Sequence, residues 1–224
     1  LDAAYTSLAA ASLTFVGTHF ALSHPLRAPL VRIFGAGGFM AVYSLVAFAA
    51  MGWMALAFRA IDGGMLGGSG TLGWAIATLL TLPAMVLLLG SFLGNPALPA
   101  PGAEQAALKE PSGAFHVTRH PMMWSFALWG VSHIVMWWSW RTNIVALAII
   151  VLALVGAHLQ DRKKAAQMGD AWDHWQANTT FWPRWGQLPR VGIGLWLAGI
   201  AGWLAATYAH IHLGDVSAGI WRWI

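Results

Sequence analysis

The chain of 224 residues contains no cysteine, which excludes disulfides, thiolate metal sites, Cys-ligated haem and cysteine nucleophiles together. Charge is nearly as scarce, at 9% of residues, against roughly 25% in soluble globular chains. No acidic residue falls inside the long apolar runs, so the buried carboxylates expected of an ion pump are missing. HExxH, Walker A and dinucleotide-type GxGxxG motifs are absent, which argues against a soluble-type hydrolase or nucleotide enzyme. No basic run is long enough for a nucleic-acid surface. The chain opens on Leu1, which is expected to lie downstream of a natural start, and it shows no basic head and cleavage site of a signal peptide.

What is abundant is apolar and aromatic. Hydrophobic residues make up 58%, and fifteen Trp with three Tyr supply rings suited to a membrane–water boundary. A helix crosses a bilayer with about 20 apolar residues. Six segments qualify, at 3–23, 36–58, 71–93, 121–140, 142–160 and 191–210. Lipid offers the backbone no hydrogen bonds, so these runs are helices. The fold class is therefore all-α: a polytopic membrane protein of about six transmembrane helices in one bundle, a single domain over 1–224.

Orientation follows from Lys and Arg. Nine of them lie in connections 1–2, 3–4 and 5–6, and only Arg59, Arg141 and Arg222 lie on the other side. Positive charge marks the cytoplasmic face. The chain is thus expected to be multi-pass in a bacterial inner membrane with both termini periplasmic. Residues 62–70 read as a flexible glycine-rich tip on the outer side. Residues 94–117 form a long proline-containing inner loop of the kind that is functional or mobile. The stretch 161–188 reads as an extension of the fifth span followed by an inner-surface interfacial segment.

Histidines carry the chemistry. His133 is the one ionisable residue between Met122 and Trp140, and a buried imidazole without a partner is costly. Trp129 and Trp137 lie one turn either side of it, Met136 and Phe126 adjoin, and Gly130 leaves room for something large and flat. Arg119-His120-Pro121 opens the fourth span; Pro121 suits a first helical turn, and the two cationic side chains make an anion site there. His19 stands toward the inner end of the first span, and His158 ends the fifth beside Asp161 and Arg162. His116, His174, His210 and His212 read as interfacial. Neutral imidazoles without thiolates or buried acids suit haem iron, with copper second. Ordinary core or capping roles explain each histidine alone, so the residues by themselves leave the ligand set open.

The motifs resemble the NnrU family of membrane proteins. Thr18-His19-Phe20, Ser23-His24-Pro25-Leu26-Arg27, Thr118-Arg119-His120-Pro121 with Trp124, Trp129 and His133, and Ala157-His158-Leu159-Gln160-Asp161-Arg162-Lys163-Lys164 carry the resemblance, which covers nearly the whole chain. The family name links it to nitrite and nitric oxide reduction. The family is in turn similar to zeta-carotene isomerase, a membrane enzyme that uses haem b on a polyene. That resemblance implies haem b with His19 and His133 as its catalytic metal ligands. His158 would be the substitute by depth, because His133 should lie near mid-bilayer. Arg119, His120 and Arg162 would anchor the haem's anionic groups, and Trp129, Met136 and Trp137 would line the apolar wall. The isomerase carries a cysteine three residues before the second histidine; Gly130 stands there in this chain, so a thiolate ligand switch is absent.

Two alternatives remain. The Arg-His-Pro helix start also resembles isoprenylcysteine methyltransferases, which bind S-adenosylmethionine, but those carry two adjacent glutamates where this chain has Asp161-Arg162. A non-enzymatic reading makes the chain an accessory or assembly subunit of a larger membrane complex, pigment-bearing or respiratory. The partners expected are the bilayer and a polyene or other apolar ligand, with no nucleic acid.

Overall fold

The computed structural model describes residues 2–62, 64, 66 and 70–224. The glycine-rich tip expected at 62–70 lies mostly outside the described residues. Asp2 accepts the Ala4 N–H at 3.1 Å and so caps α1 (Ala3–Ser23). Next come α2 (Arg27–Arg59), α3 (Gly70–Gly90), the short α4 (Ala103–Ala107), α5 (Pro121–Met136), α6 (Trp140–Met168), α7 (Asp170–Asn178) and α8 (Ile193–Gly214). No strand occurs among the described residues. The helix α2 breaks at Gly35, where φ is 69°, a backbone that glycine adopts without a Cβ penalty. The apolar run from residue 36 is therefore a helix of its own.

The six apolar segments all fold as helix, but not all are spans by length and composition. Helices α2, α3 and α6 are long and apolar enough to cross a membrane, and a fourth follows if Trp185–Val191 and α8, bent by 102°, count as one. Six crossings are not established. Helix α5 has 16 residues, or about 24 Å, short of a hydrocarbon core of about 30 Å. It was expected to run to residue 140. Trp137 leaves helical geometry (φ −136°, ψ 77°), and Ser139 caps α6 by accepting the Thr142 N–H at 3.2 Å. Trp137–Ser139 is therefore a link between two helices.

Helix α5 sits centrally, against α3 on one side and α6 on the other. A Cβ at Gly130 would lie 2.7 Å from Ile150 Cγ1 and 3.1 Å from the Ala146 carbonyl. The space beside Gly130 is thus filled by α6, which corrects the expectation that it admits a flat ligand. Likewise Gly199 lets α8 press onto Val86 of α3, and Trp203 Nε1 donates to Thr81 Oγ1 at 2.9 Å between the same helices. Helix α1 packs Leu8 and Ala11 against Met54 and Ala57 of α2.

At the end bearing Arg119, Lys163 and Arg184, the basic end, loop residues and α7 form a cap. Ala97, Ala107 and Phe115 bury against Trp172 and Trp175, so the 94–117 segment is pinned by packing. Helix α6 runs seven residues past Asp161 into this cap, as the sequence implied. Trp172 and Trp175 face its interior, whereas Trp182 and Trp185 are exposed.

Candidate functional site

The basic end holds a clamp around Asp161. Arg119 Nε donates to both carboxylate oxygens at 3.0 and 2.9 Å, and Arg119 Nη2 donates to Oδ2 at 2.6 Å. His120 Nε2 donates to Oδ1 at 2.8 Å. Pro121 starts the helix at N1, where its missing N–H costs nothing, and holds His120 at the cap position against α6. Segment 180–184 closes the clamp. Arg119 N–H donates to the Thr180 carbonyl at 2.8 Å, Thr118 Oγ1 to the Phe181 carbonyl at 2.8 Å, and Trp124 Nε1 to the same carbonyl at 2.9 Å. The Phe181 ring packs on the Arg119 guanidinium and the His120 imidazole. The anion that Arg119 and His120 hold is this chain's own carboxylate, which displaces the expectation that they anchor an external one. Arg162, expected beside them, points outward with His158 on the exposed face of α6. Neither His158 nor Arg162 lines a cavity described here.

His19 and His133 take the same local arrangement in different cavities. His19 Nδ1 donates to the Phe15 carbonyl at 2.7 Å and His133 Nδ1 to the Trp129 carbonyl at 2.8 Å. With Nδ1 as the donor, Nε2 of each ring is the nitrogen left to offer, the arrangement of a metal-bound imidazole whose second nitrogen is fixed. His19 lines a cavity of about 510 Å³ between α1, α2, α5 and α6 near the basic end. His133 stands in the last turn of α5 at the opposite end, because α5 stops at Met136; it is not mid-helix as expected. The cavities holding the two rings share only Met51 and Ile149 or, for the smaller one beside His133, Phe126.

The ring that shares His133's surroundings is His210. Both line a cavity of about 490 Å³ against α2 and α6 and a second of about 270 Å³ against α3 and α8. His210 Nδ1 also donates to the carbonyl four residues back, Ala206, at 2.8 Å. Trp129 lies against the His133 ring with centroids 4.1 Å apart, and Met136 and Val216 complete the junction. The larger cavity adds Arg59, Arg141 and Trp137. Arg141 Nη1 donates to the Ile61 carbonyl at 2.5 Å, and its guanidinium stacks on Phe58. Arg141 Nε and Trp137 Nε1 are buried with no hydrogen-bond partner among the described residues. An apolar chamber with two imidazoles, two arginines and two orphaned donors can hold a flat apolar molecule that carries a metal and anionic groups.

Trp129 lines both cavities and Trp137 the larger one, and His210, expected at the interface, lines both beside them. Its signal was present: α5 and α8 both run away from the basic end, so residues near their C-termini share a level. No group of three or more His, Asp or Glu that could hold a metal ion occurs among the described residues.

The fold and its cavities define a helical integral membrane protein with a histidine-lined apolar chamber and an ion-paired cap. The chain belongs to the NnrU family: that family, described as NnrU protein, matches residues 7–218. No curated protein and no solved structure matches the chain.

Proposed function

We propose that this protein binds haem b in the 490 Å³ cavity, where His133 and His210 would hold its iron. The observation that carries the reading is the pairing, in one cavity, of two imidazoles whose Nδ1 atoms are tied to carbonyls with two buried, unpartnered donors. The donor set suits the group. Imidazole ligates haem iron, Arg141 Nε, Trp137 Nε1 and Arg59 would receive the propionates, and Met54, Phe58, Met136 and Val145 would pack the ring. Bound haem b would supply an iron centre for electron transfer, nitrogen-oxide chemistry or isomerisation of a polyene. The 270 Å³ cavity, walled by Trp74, Trp203 and Met85, would hold the apolar reactant beside it, with His133 between the two.

The excess of Lys and Arg at the other end would place that end in the cytoplasm, and the haem toward the periplasmic side of a bacterial inner membrane. The methyltransferase reading lacks its acid: Asp161 is spent on Arg119 and His120, and the position of a second glutamate is the outward-facing Arg162. A role as a haem-bearing subunit of a larger complex uses the same site and would appear as stoichiometric co-purification of other chains.

The test is the optical spectrum of the detergent-purified protein, oxidised and then dithionite-reduced. A Soret band with sharp reduced α and β bands, at one haem per chain, is the expected result. A folded protein that stays colourless after expression with added haem precursor would overturn the proposal.

A further inference from the structure

The His19 cavity is left without an occupant by the haem reading, and its mouth is charged. Its body is apolar, walled by Phe15, Met51, Met122 and Phe126. Toward the basic end it gives onto a smaller cavity of about 200 Å³, and the two share Ser23, Tyr43, Gln160 and Lys163. That smaller cavity is lined by Arg27, Lys163 and Lys164 and by no acidic residue. The ion pairs among the described residues are those of Asp161 with Arg119 and His120, so none of the three cations has a carboxylate partner there. Lys164 is buried and its Nζ donates once, to the Pro96 carbonyl at 3.2 Å, which leaves two N–H donors unused. Arg27 occupies the first turn of α2, where a cation meets the positive end of the helix and is unfavourable unless an anion sits nearby.

Three like charges converging at a cavity mouth repel one another, and no acid lines that mouth to offset them. We infer that the paired cavities bind a phosphate-headed amphiphile, with the phosphate at Arg27, Lys163 and Lys164 and the apolar chain in the His19 cavity. A phosphate suits the mouth because its several anionic oxygens accept from more than one cationic donor at once. A chain suits the body because the walls between Phe15 and Phe126 are hydrocarbon, aromatic ring and thioether. Tyr43, which lines both cavities, stands where head and tail join. Ala97 and Pro99 wall the mouth, so the pinned 94–117 segment closes over the headgroup.

The experiment is a binding titration of the full-length protein in detergent with oleyl phosphate, oleyl alcohol and inorganic phosphate. Thermal shift and native mass spectrometry read the binding. Oleyl phosphate is expected to bind at least tenfold more tightly than either half of itself. Arg27→Gln and Lys163→Gln should each weaken it about tenfold, the loss of one charge-assisted contact, while Lys163→Arg retains it. Gly156→Leu projects into the cavity body, where a Cβ meets only the Phe20 ring at 3.9 Å, and should abolish binding of the chain. Circular dichroism and gel filtration of each variant separate lost binding from lost fold. A phosphatidic acid retained through purification and released by Lys163→Gln would support the site and identify its source as a bilayer lipid. Equal affinity for oleyl alcohol or for inorganic phosphate, or Gln variants that bind as the native chain does, would overturn the inference. Haem bands lost in Arg27→Gln or Lys163→Gln would also overturn it, since the mouth would then hold haem propionates.

Discussion

Replacing Asp161 with Asn should destabilise the protein far more than a one-atom change suggests. The carboxylate accepts three contacts from Arg119 at 2.6–3.0 Å and one from His120 at 2.8 Å, with side chains only 12% and 9% exposed for Arg119 and Asp161. Asparagine keeps one acceptor and removes the charge, leaving the Arg119 guanidinium without its counter-ion. Breaking a buried pair from one side costs about 3–5 kcal/mol. At this chain length each kcal/mol moves the melting temperature by about 2–4 °C, so a fall of about 6–20 °C follows. Thermal melts of the detergent-solubilised protein, read by retention on gel filtration, measure it. The double variant Arg119→Met/Asp161→Met should recover most of the loss, because it leaves no unpaired charge. A drop under about 3 °C for Asp161→Asn, typical of an exposed pair, would refute the clamp. Added sulfate or phosphate that rescued the native chain strongly would instead make Arg119 and His120 an external anion site.

Other outcomes follow from the same geometry. Gly130→Cys should cost about 1–3 kcal/mol through overpacking against Ile150; Ile150→Ala in the same chain should relieve part of it, as a melt would show. His158→Ala and Arg162→Ala, both on the outward face of α6, should stay within about 0.5 kcal/mol of the native chain and leave any visible spectrum unchanged. Burial, and then the charge of Lys163, hold the His24 imidazole below its ordinary value of 6.5. Its folded form therefore resists a proton that the unfolded chain accepts, and stability should fall as pH drops through 6.5 toward the depressed folded value. His24→Gln should flatten that part of the pH–melting profile.

The apolar runs gave the helices nearly to the residue at 3–23 and in the start of α5, because a run of about 20 hydrocarbon side chains leaves the backbone one way to hydrogen-bond. Ends set by local chemistry were less legible. Trp137 and Trp138 continue the apolar pattern, and only the Ser139 cap with Thr142 shows that a new helix begins. Placing α5's end four residues late put His133 at mid-bilayer and hid that it lines the same cavities as His210. The clamp escaped for a different reason: Asp161 is three residues from His158 but forty-two from Arg119, and the sequence shows only the nearer neighbour. Gly130 shows the same limit, since a small residue reads equally as room for a ligand or as room for another helix. The cationic mouth was legible as positive charge and not as a cavity, because Arg27 and Lys163 meet only when α2 and α6 fold together.

The central claim rests on one comparison: visible and electron paramagnetic resonance spectra of the purified protein beside its His19→Ala, His133→Ala and His210→Ala variants. A low-spin bis-histidine haem in the native chain and in His19→Ala, lost in His133→Ala and turned high-spin or lost in His210→Ala, is the expected pattern. A native chain without haem, or one whose low-spin signal survives His210→Ala and disappears with His19→Ala, would contradict it.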